Sequence, residues 1–251
     1  MGEDSERQLR LLGPFRARVN DRLLVVPHSV ERLLALTALV GPLARSHAAA
    51  TLWPDADGTR ASANLRSALS RMTSIDDGYI VVTGDVLGVR EDVAVDLNDA
   101  MGWANETIYG ACAASAGPPD SIGKELLPGW DEEWLINARE RLRLLSTQAL
   151  QSAAESLIAA GRPGEAMPYA LLAVQAEPWS ESANRLIIEI HARRGDPSNA
   201  LRRYHRFQRA LEHELGVQPG PDMVAVIRGL YPLGAPSVDG LVRRTAHRGR
   251  P

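Results

Sequence analysis

The chain has 251 residues, a length that fits one large domain or two smaller ones. Hydrophobic residues make up 45% of it and charged residues 24%, as in a globular protein with a buried core. A net charge of −3 excludes a uniformly basic nucleic-acid-binding protein, so the local distribution of charge matters more. Cys112, the single cysteine, cannot form an internal disulfide, and the sequence has neither a signal-peptide pattern nor an apolar run that would span a bilayer. We therefore expect a cytoplasmic protein with no membrane partner.

The first strand patterns lie between Leu9 and Pro27. Apolar residues alternate from Leu9 to Val19, with a break at Gly13-Pro14, and "RLLVVP" follows after the turn residues Asn20-Asp21. These runs predict a small antiparallel sheet.

Three helices are predicted next, followed by a β-hairpin. The helices span residues 30–40, 47–53 and about 60–74, with Ser29 and Ser46 as expected N-caps of the first two. Two β-rich runs from Tyr79 to Leu97 surround "TGDV" and predict the hairpin. This order predicts a winged helix-turn-helix over residues 1–97, in which the third helix enters the major groove of DNA.

From about residue 98 onward the patterns are almost entirely helical. A weak repeat of 34 residues relates Gly161 to Gly195 and Ala166 to Ala200. This period is typical of tetratricopeptide-like helical hairpins. We therefore predict a mainly α fold, with an all-α tetratricopeptide-like domain over residues 98–235 and a disordered basic tail over residues 236–251.

The third predicted helix has an unusual outward face. On a helical wheel, Leu65, Ala68, Leu69 and Met72 face the core. The opposite strip holds small residues, and arginines flank it on both sides without an acidic residue between residues 60 and 71. The small strip consists of Ala63, Ser67, Ser70 and Ser74, and its flanks consist of Arg66 on one side and Arg60, Asn64 and Arg71 on the other.

This pattern is typical of a recognition helix. Small side chains let the helix backbone approach base edges, while arginines reach phosphates or bind guanine in a bidentate manner. The alternative is an ordinary solvated helix face, which the position after a short helix and before a hairpin disfavours. The hairpin adds Arg90 as a weaker candidate. The predicted DNA-binding residues are Arg60, Asn64, Arg66, Ser67, Ser70, Arg71 and Arg90.

Two passages resemble a known family of bacterial regulators. "TLWPDADGTRASANLRSALSRM", residues 51–72, is similar to the DNA-binding domain of SARP-type regulators, whose winged helix resembles that of OmpR-type response regulators. "LLPGW" at residues 126–130 and "ELGVQPGP" at residues 214–221 resemble the bacterial transcriptional activator domain. One departure is Ser70, where relatives of this subtype often carry a bulky aromatic residue. The resemblance covers nearly all of residues 8–232.

The resemblance implies a transcriptional activator. Members of this family bind direct repeats in the promoters of secondary-metabolite gene clusters as head-to-tail protomers and recruit RNA polymerase. For this chain that implies double-stranded promoter DNA and RNA polymerase holoenzyme as partners, a homodimer on DNA, and a nucleoid-associated location. Residues 60–74 correspond to the family's recognition helix.

Other functional classes receive less support from the sequence. "GPPDSIGKE" at residues 117–125 has the wrong spacing for a phosphate-binding loop, and the histidines lack metal-ligand spacing. We therefore expect no enzymatic activity, no metal and no cofactor. Two alternatives stay open: a protein-interaction adaptor whose winged helix no longer binds DNA, and a ligand-responsive regulator. The 13 acidic residues against 11 arginines in residues 1–97 favour the adaptor.

Overall fold

The computed structural model describes residues 6–110 and 117–230, which form two compact units. Among the described residues, the first unit comprises 6–105 and 117–146, and the second comprises 106–110 and 147–230. The predicted boundary at residue 97 stays a prediction, and residues 117–146 belong to the first compact unit. Cys112 and the predicted tail lie outside the described residues.

The first unit contains two small sheets, and three of its helices lie between the third and fifth strands of the chain. One sheet has the strand order β3-β2-β1-β7, and its β1–β7 pair is parallel. The other has the order β4-β6-β5 and is antiparallel. The strands are β1 (Arg7–Arg10), β2 (Arg16–Val19), β3 (Arg22–Leu24), β4 (Leu43–Ala44), β5 (Ile80–Thr83), β6 (Val86–Val89) and β7 (Val93–Val95). The helices between β3 and β5 are α1 (His28–Val40), α2 (Arg45–Leu52) and α3 (Gly58–Ile75).

Helices α1 and α2 begin differently from the sequence prediction. Neither Ser29 nor Ser46 is an N-cap: α1 follows Pro27 and α2 follows Ala44, and neither cap position makes a side-chain cap hydrogen bond. The serine prediction was wrong because the preceding backbone already sets both starts. Proline fixes its own φ near the value that a helix entry requires, and the N–H of Arg45 donates to the carbonyl of Asp85 at 2.8 Å.

The β5–β6 hairpin forms the predicted wing, and its base is fixed to the first sheet. The hydroxyl of Tyr79 donates to the carbonyl of Arg18 at 2.5 Å, and burial raises the pKa of Tyr79 to about 12. The Arg7 guanidinium donates to Asp76 at 2.9 Å, just before the hairpin. A Cβ atom at residue 78 would lie 2.0 Å from the Arg7 guanidinium, so a larger residue than Gly78 would displace the end of the Arg7 side chain. These contacts set the position of the wing after α3.

Residues after the wing also pack within the first unit. The carboxylate of Asp96, the first residue of α4 (Asp96–Tyr109), accepts hydrogen bonds from the backbone of Leu11 and Leu12 at 2.8 and 3.1 Å. Burial raises the pKa of Asp96, although these bonds oppose the shift. The N–H of Leu127 donates to the carbonyl of Leu11, and Arg32 forms an ion pair with Glu132 at 2.6 Å. Residues 117–146 are therefore held by β1, by the segment that follows it and by α1.

The second unit is built from successive helices. It contains the part of α5 (Glu133–Ala159) after residue 146, followed by α6 (Pro163–Ala176), α7 (Glu181–Arg193), α8 (Pro197–Leu215) and α9 (Pro221–Leu230). The 34-residue repeat has a physical basis here. Gly161 and Gly195 both have positive φ at the turns before α6 and α8, and Ala166 and Ala200 are both fully buried. In the described part of the chain, no helix is long and apolar enough to cross a membrane.

Candidate nucleic-acid interface

The inward face of α3 matches the sequence prediction. Leu65, Ala68 and Met72 are almost fully buried, and Leu69 is partly buried against the same core. Leu65 and Ala68 pack in a cluster to which all three helices, β4 and the wing strand β6 contribute. The hydrophobic periodicity therefore fixes the rotation of α3 about its axis, and with it the face that solvent sees.

The outward face presents four of the predicted DNA-binding residues. Arg66, Ser67, Ser70 and Arg71 are all exposed. The hydroxyls of Ser67 and Ser70 make no hydrogen bond among the described residues. Three other hydroxyls on α3 donate to carbonyls of their own helix, namely those of Ser62, Thr73 and Ser74. Ser67 and Ser70, with Thr59 in the first turn, are therefore the α3 hydroxyls available to an external partner.

Arg60 and Asn64 lie on the flank of α3 that borders a cleft. The cleft has a volume of about 980 Å³ and lies between the α2–α3 turn and residues 131–137. Trp53 and Trp134 line it together with acidic residues. Arg60 is exposed and Asn64 is half-buried. These two predicted residues thus face a more acidic environment than Arg66 does.

The arginines of α3 differ from most others in the first unit because no acidic side chain neutralises them. Helix α3 contains no Asp or Glu between Gly58 and Ile75. Arg60, Arg66 and Arg71 make no salt bridge within the described ranges, whereas Arg32 and Arg7 are paired with carboxylates. Unpaired, exposed guanidinium groups beside free hydroxyls are suited to binding phosphate and base edges.

The structure does not place Arg90 among these free cations. It follows β6 at the base of the wing, where its N–H donates to the carbonyl of Tyr79. Its guanidinium donates to both carboxylate oxygens of Asp92, at 3.0 and 3.2 Å, and this interaction raises the pKa of Arg90. The tip of the wing carries Asp85, which is exposed. A DNA contact by Arg90 would require exchange of Asp92 for phosphate and stays a prediction.

The sequence analysis missed Arg45. It is the first residue of α2, is half-buried, and lines a small cleft of about 170 Å³ with Ser70 and Thr73 of α3 and Val82 of the wing. The missed signal was the start of α2, which the sequence placed two residues later. Because the wing strand and α3 meet at Arg45, this half-buried side chain is a further candidate phosphate contact, although Asp76 and Asp77 line the same cleft.

Asp57 is the N-cap of α3, and its substitution tests how much this cap contributes to the stability of the protein. Its carboxylate accepts a hydrogen bond from the N–H of Arg60 at 2.9 Å. We expect Asp57→Ala to lower the free energy of unfolding by about 0.5–2 kcal/mol, measured by urea denaturation. Asp57→Asn should retain most of that stability, because asparagine is an equally good N-cap. Equal loss in both variants would contradict the capping role.

The fold and the site together define a class of protein. A three-helix unit with a β-hairpin wing, an unneutralised arginine-bearing third helix and an appended helical unit is a winged-helix protein with a second helical domain. Residues 121–230 match the family described as the bacterial transcriptional activator domain. The chain is similar to SARP-type transcriptional regulators, and its residues 121–230 carry the match to this activator domain.

Two curated relatives show this similarity in sequence, and one solved structure shares the fold. The regulatory protein AfsR of Streptomyces griseus is 28% identical over 85% of this chain, and AfsR of Streptomyces coelicolor is 26% identical over 88%. The chain spans about a quarter of the length of these relatives, 23% and 24% respectively. A structure of Mycobacterium tuberculosis EmbR in complex with a low affinity phosphopeptide has a TM-score of 0.70 and 17% identity. It covers 96% of this chain and 69% of the EmbR chain, which confirms the predicted fold class.

Proposed function

We propose that this protein is a sequence-specific DNA-binding activator of transcription. The observation that carries the proposal is the exposed face of α3, where Arg66 and Arg71 flank the free hydroxyls of Ser67 and Ser70 without an acidic neighbour on the helix. Ser67 and Ser70 are short enough to let the helix lie deep in the major groove, and the arginines then reach phosphates or guanine. The wing and Arg45 lie beside the same face.

The finer parts of the proposal rest on the family. We propose that two protomers bind direct repeats head to tail, that the second domain recruits RNA polymerase holoenzyme, and that the targets are promoters of a secondary-metabolite gene cluster. A head-to-tail arrangement uses two different surfaces of each protomer, and the DNA repeat then sets the spacing. A nucleoid-associated, cytoplasmic location follows from that role, and neither catalysis nor a cofactor is needed for it.

Selection of binding sites from a pool of random duplexes tests the proposal directly. The full chain should enrich two copies of one short motif in the same orientation, with centres about 10–11 bp apart because each half-site then faces the same side of the duplex. Sequencing of the enriched pool measures both motif and spacing. A pool with no shared motif would overturn sequence-specific binding, and inverted copies would overturn the head-to-tail arrangement.

A further inference from the structure

Helix α8 of the second unit carries four arginines with no acidic residue among them. Between residues 197 and 211 its charged residues are Arg202, Arg203, Arg206 and Arg209. Three of these are exposed, and Arg203 is half-buried. Spacings of four and three residues place the exposed three above one another on one helix face, over about 10 Å of its length. We call Arg202, Arg206 and Arg209 the arginine stripe.

Electrostatics within α8 do not explain the stripe. Like charges three and four residues apart destabilise a helix. Arg203 adds to the repulsion. Its guanidinium donates a hydrogen bond to the amide oxygen of buried Asn184 at 2.6 Å. Its pKa is lowered mainly by burial and, to a smaller extent, by the positive charge of Arg206. No arginine of α8 makes a salt bridge within residues 6–110 and 117–230. Elsewhere in the unit, Arg162 and Arg193 pair with carboxylates three or four residues away.

The surroundings of the stripe distinguish between two kinds of anionic partner. A protein partner is normally held by apolar or aromatic anchors at the centre of the interface. The side chains that share this face of α8 are instead polar, namely Ser198, Asn199, His205 and His213, and the exposed carboxylate of Glu212 lies at its edge. Phosphate groups need only donors and positive charge, and guanidinium groups bind phosphate oxygens in a bidentate manner. A row of arginines without anchors therefore fits a phosphate backbone.

We propose that the arginine stripe binds the phosphate backbone of duplex DNA outside the half-sites bound by the winged helix. The inference rests on the proposed function, because binding through α3 would hold the covalently joined second unit at a high local concentration of phosphates. The stripe contributes affinity and salt dependence without reading sequence, because contacts to phosphate carry no sequence information.

The test compares two triple variants of the full chain on two duplexes. One variant is Arg202→Gln/Arg206→Gln/Arg209→Gln. The matched control is Arg162→Gln/Arg193→Gln/Arg194→Gln, which removes the same charge from exposed arginines of the same unit. One duplex extends well beyond the half-sites, and the other is trimmed to them. The measurement is the slope of log binding constant against log salt concentration.

On the long duplex, the stripe variant should reduce the magnitude of the slope by about 2–3, because each lost phosphate contact removes about 0.9. Its affinity should fall about 100-fold at roughly 0.1 M salt. The control should bind like wild type, and on the trimmed duplex all three proteins should bind alike. Equal slopes for stripe variant and control on the long duplex would overturn the proposal. So would a loss confined to binding of RNA polymerase holoenzyme, which would assign the stripe to an acidic protein surface.

The stripe and the proposed function can fail separately. If wild type prefers no sequence, the proposed function fails, but the long duplex of arbitrary sequence still compares the two triple variants. A steeper slope for the control than for the stripe variant would then support the stripe alone. If wild type selects direct repeats and the two triple variants have equal slopes, the stripe fails and the proposed function stands.

Discussion

The Arg66→Ala/Arg71→Ala variant is expected to lose specific DNA binding while remaining folded. Both side chains are exposed and make no salt bridge in the described part of the chain, so their removal leaves the packing of α3 unchanged. An arginine that reads guanine contributes about 1–3 kcal/mol to the binding free energy. An arginine that contacts phosphate contributes about 0.9 to the slope of log binding constant against log salt concentration. A salt-titrated binding assay on the selected duplex, with a random duplex alongside, separates these two contributions.

The pattern of loss identifies what each arginine contacts. Equal weakening on every sequence, with a shallower salt slope, indicates phosphate contacts; weakening at one base position with an unchanged slope indicates base readout. The matched control is Arg16→Ala/Arg22→Ala, because both side chains are exposed on β2 and β3 of the first sheet rather than on α3. It removes the same two charges from the same unit and should leave binding near the wild-type level. Unchanged binding and salt slope in the double variant would refute α3 as the recognition helix.

The winged helix could be predicted from the sequence because its signals are local and agree with one another. The core periodicity of α3, the short helix before it and the β-rich runs after it all appear in the fold at nearly the predicted positions. The exposed arginines and serines of α3 followed directly, since the buried positions Leu65, Ala68 and Met72 determine which residues lie opposite.

Some features of the fold depend on contacts that the sequence patterns do not show. The start of α2 at Arg45 depends on a hydrogen bond to Asp85, forty residues later. The pairing of Arg90 with Asp92 depends on a local hairpin geometry that alternation does not reveal. The boundary expected near residue 98 stays a prediction, and the contacts of Asp96 and Glu132 with residues early in the chain are of the kind that helical patterns do not reveal. Periodicity alone carries no information about such long-range contacts.

Leu65→Ala is expected to destabilise the first unit strongly. Leu65 is 2% exposed and lies in the cluster that joins α3 to α1, α2 and the wing. Removing its branched end leaves a cavity that these helices cannot close without moving the backbone of α3. We expect the free energy of unfolding to fall by about 2–5 kcal/mol. Urea denaturation followed by far-ultraviolet circular dichroism measures the change.

The same substitution should affect DNA binding in a way that Arg66→Ala/Arg71→Ala does not. If Leu65 acts only through folding, the apparent dissociation constant equals the wild-type constant divided by the fraction of protein that is folded and able to bind. Lower temperature should then restore affinity as far as it restores folding, and the salt slope should equal that of wild type. Ser67→Ala is the control for stability, because an exposed serine on α3 should change it by less than about 0.5 kcal/mol. A Leu65→Ala protein that unfolds like wild type would mean that α3 is not seated on this core, and the orientation of its arginines would then lose its physical basis.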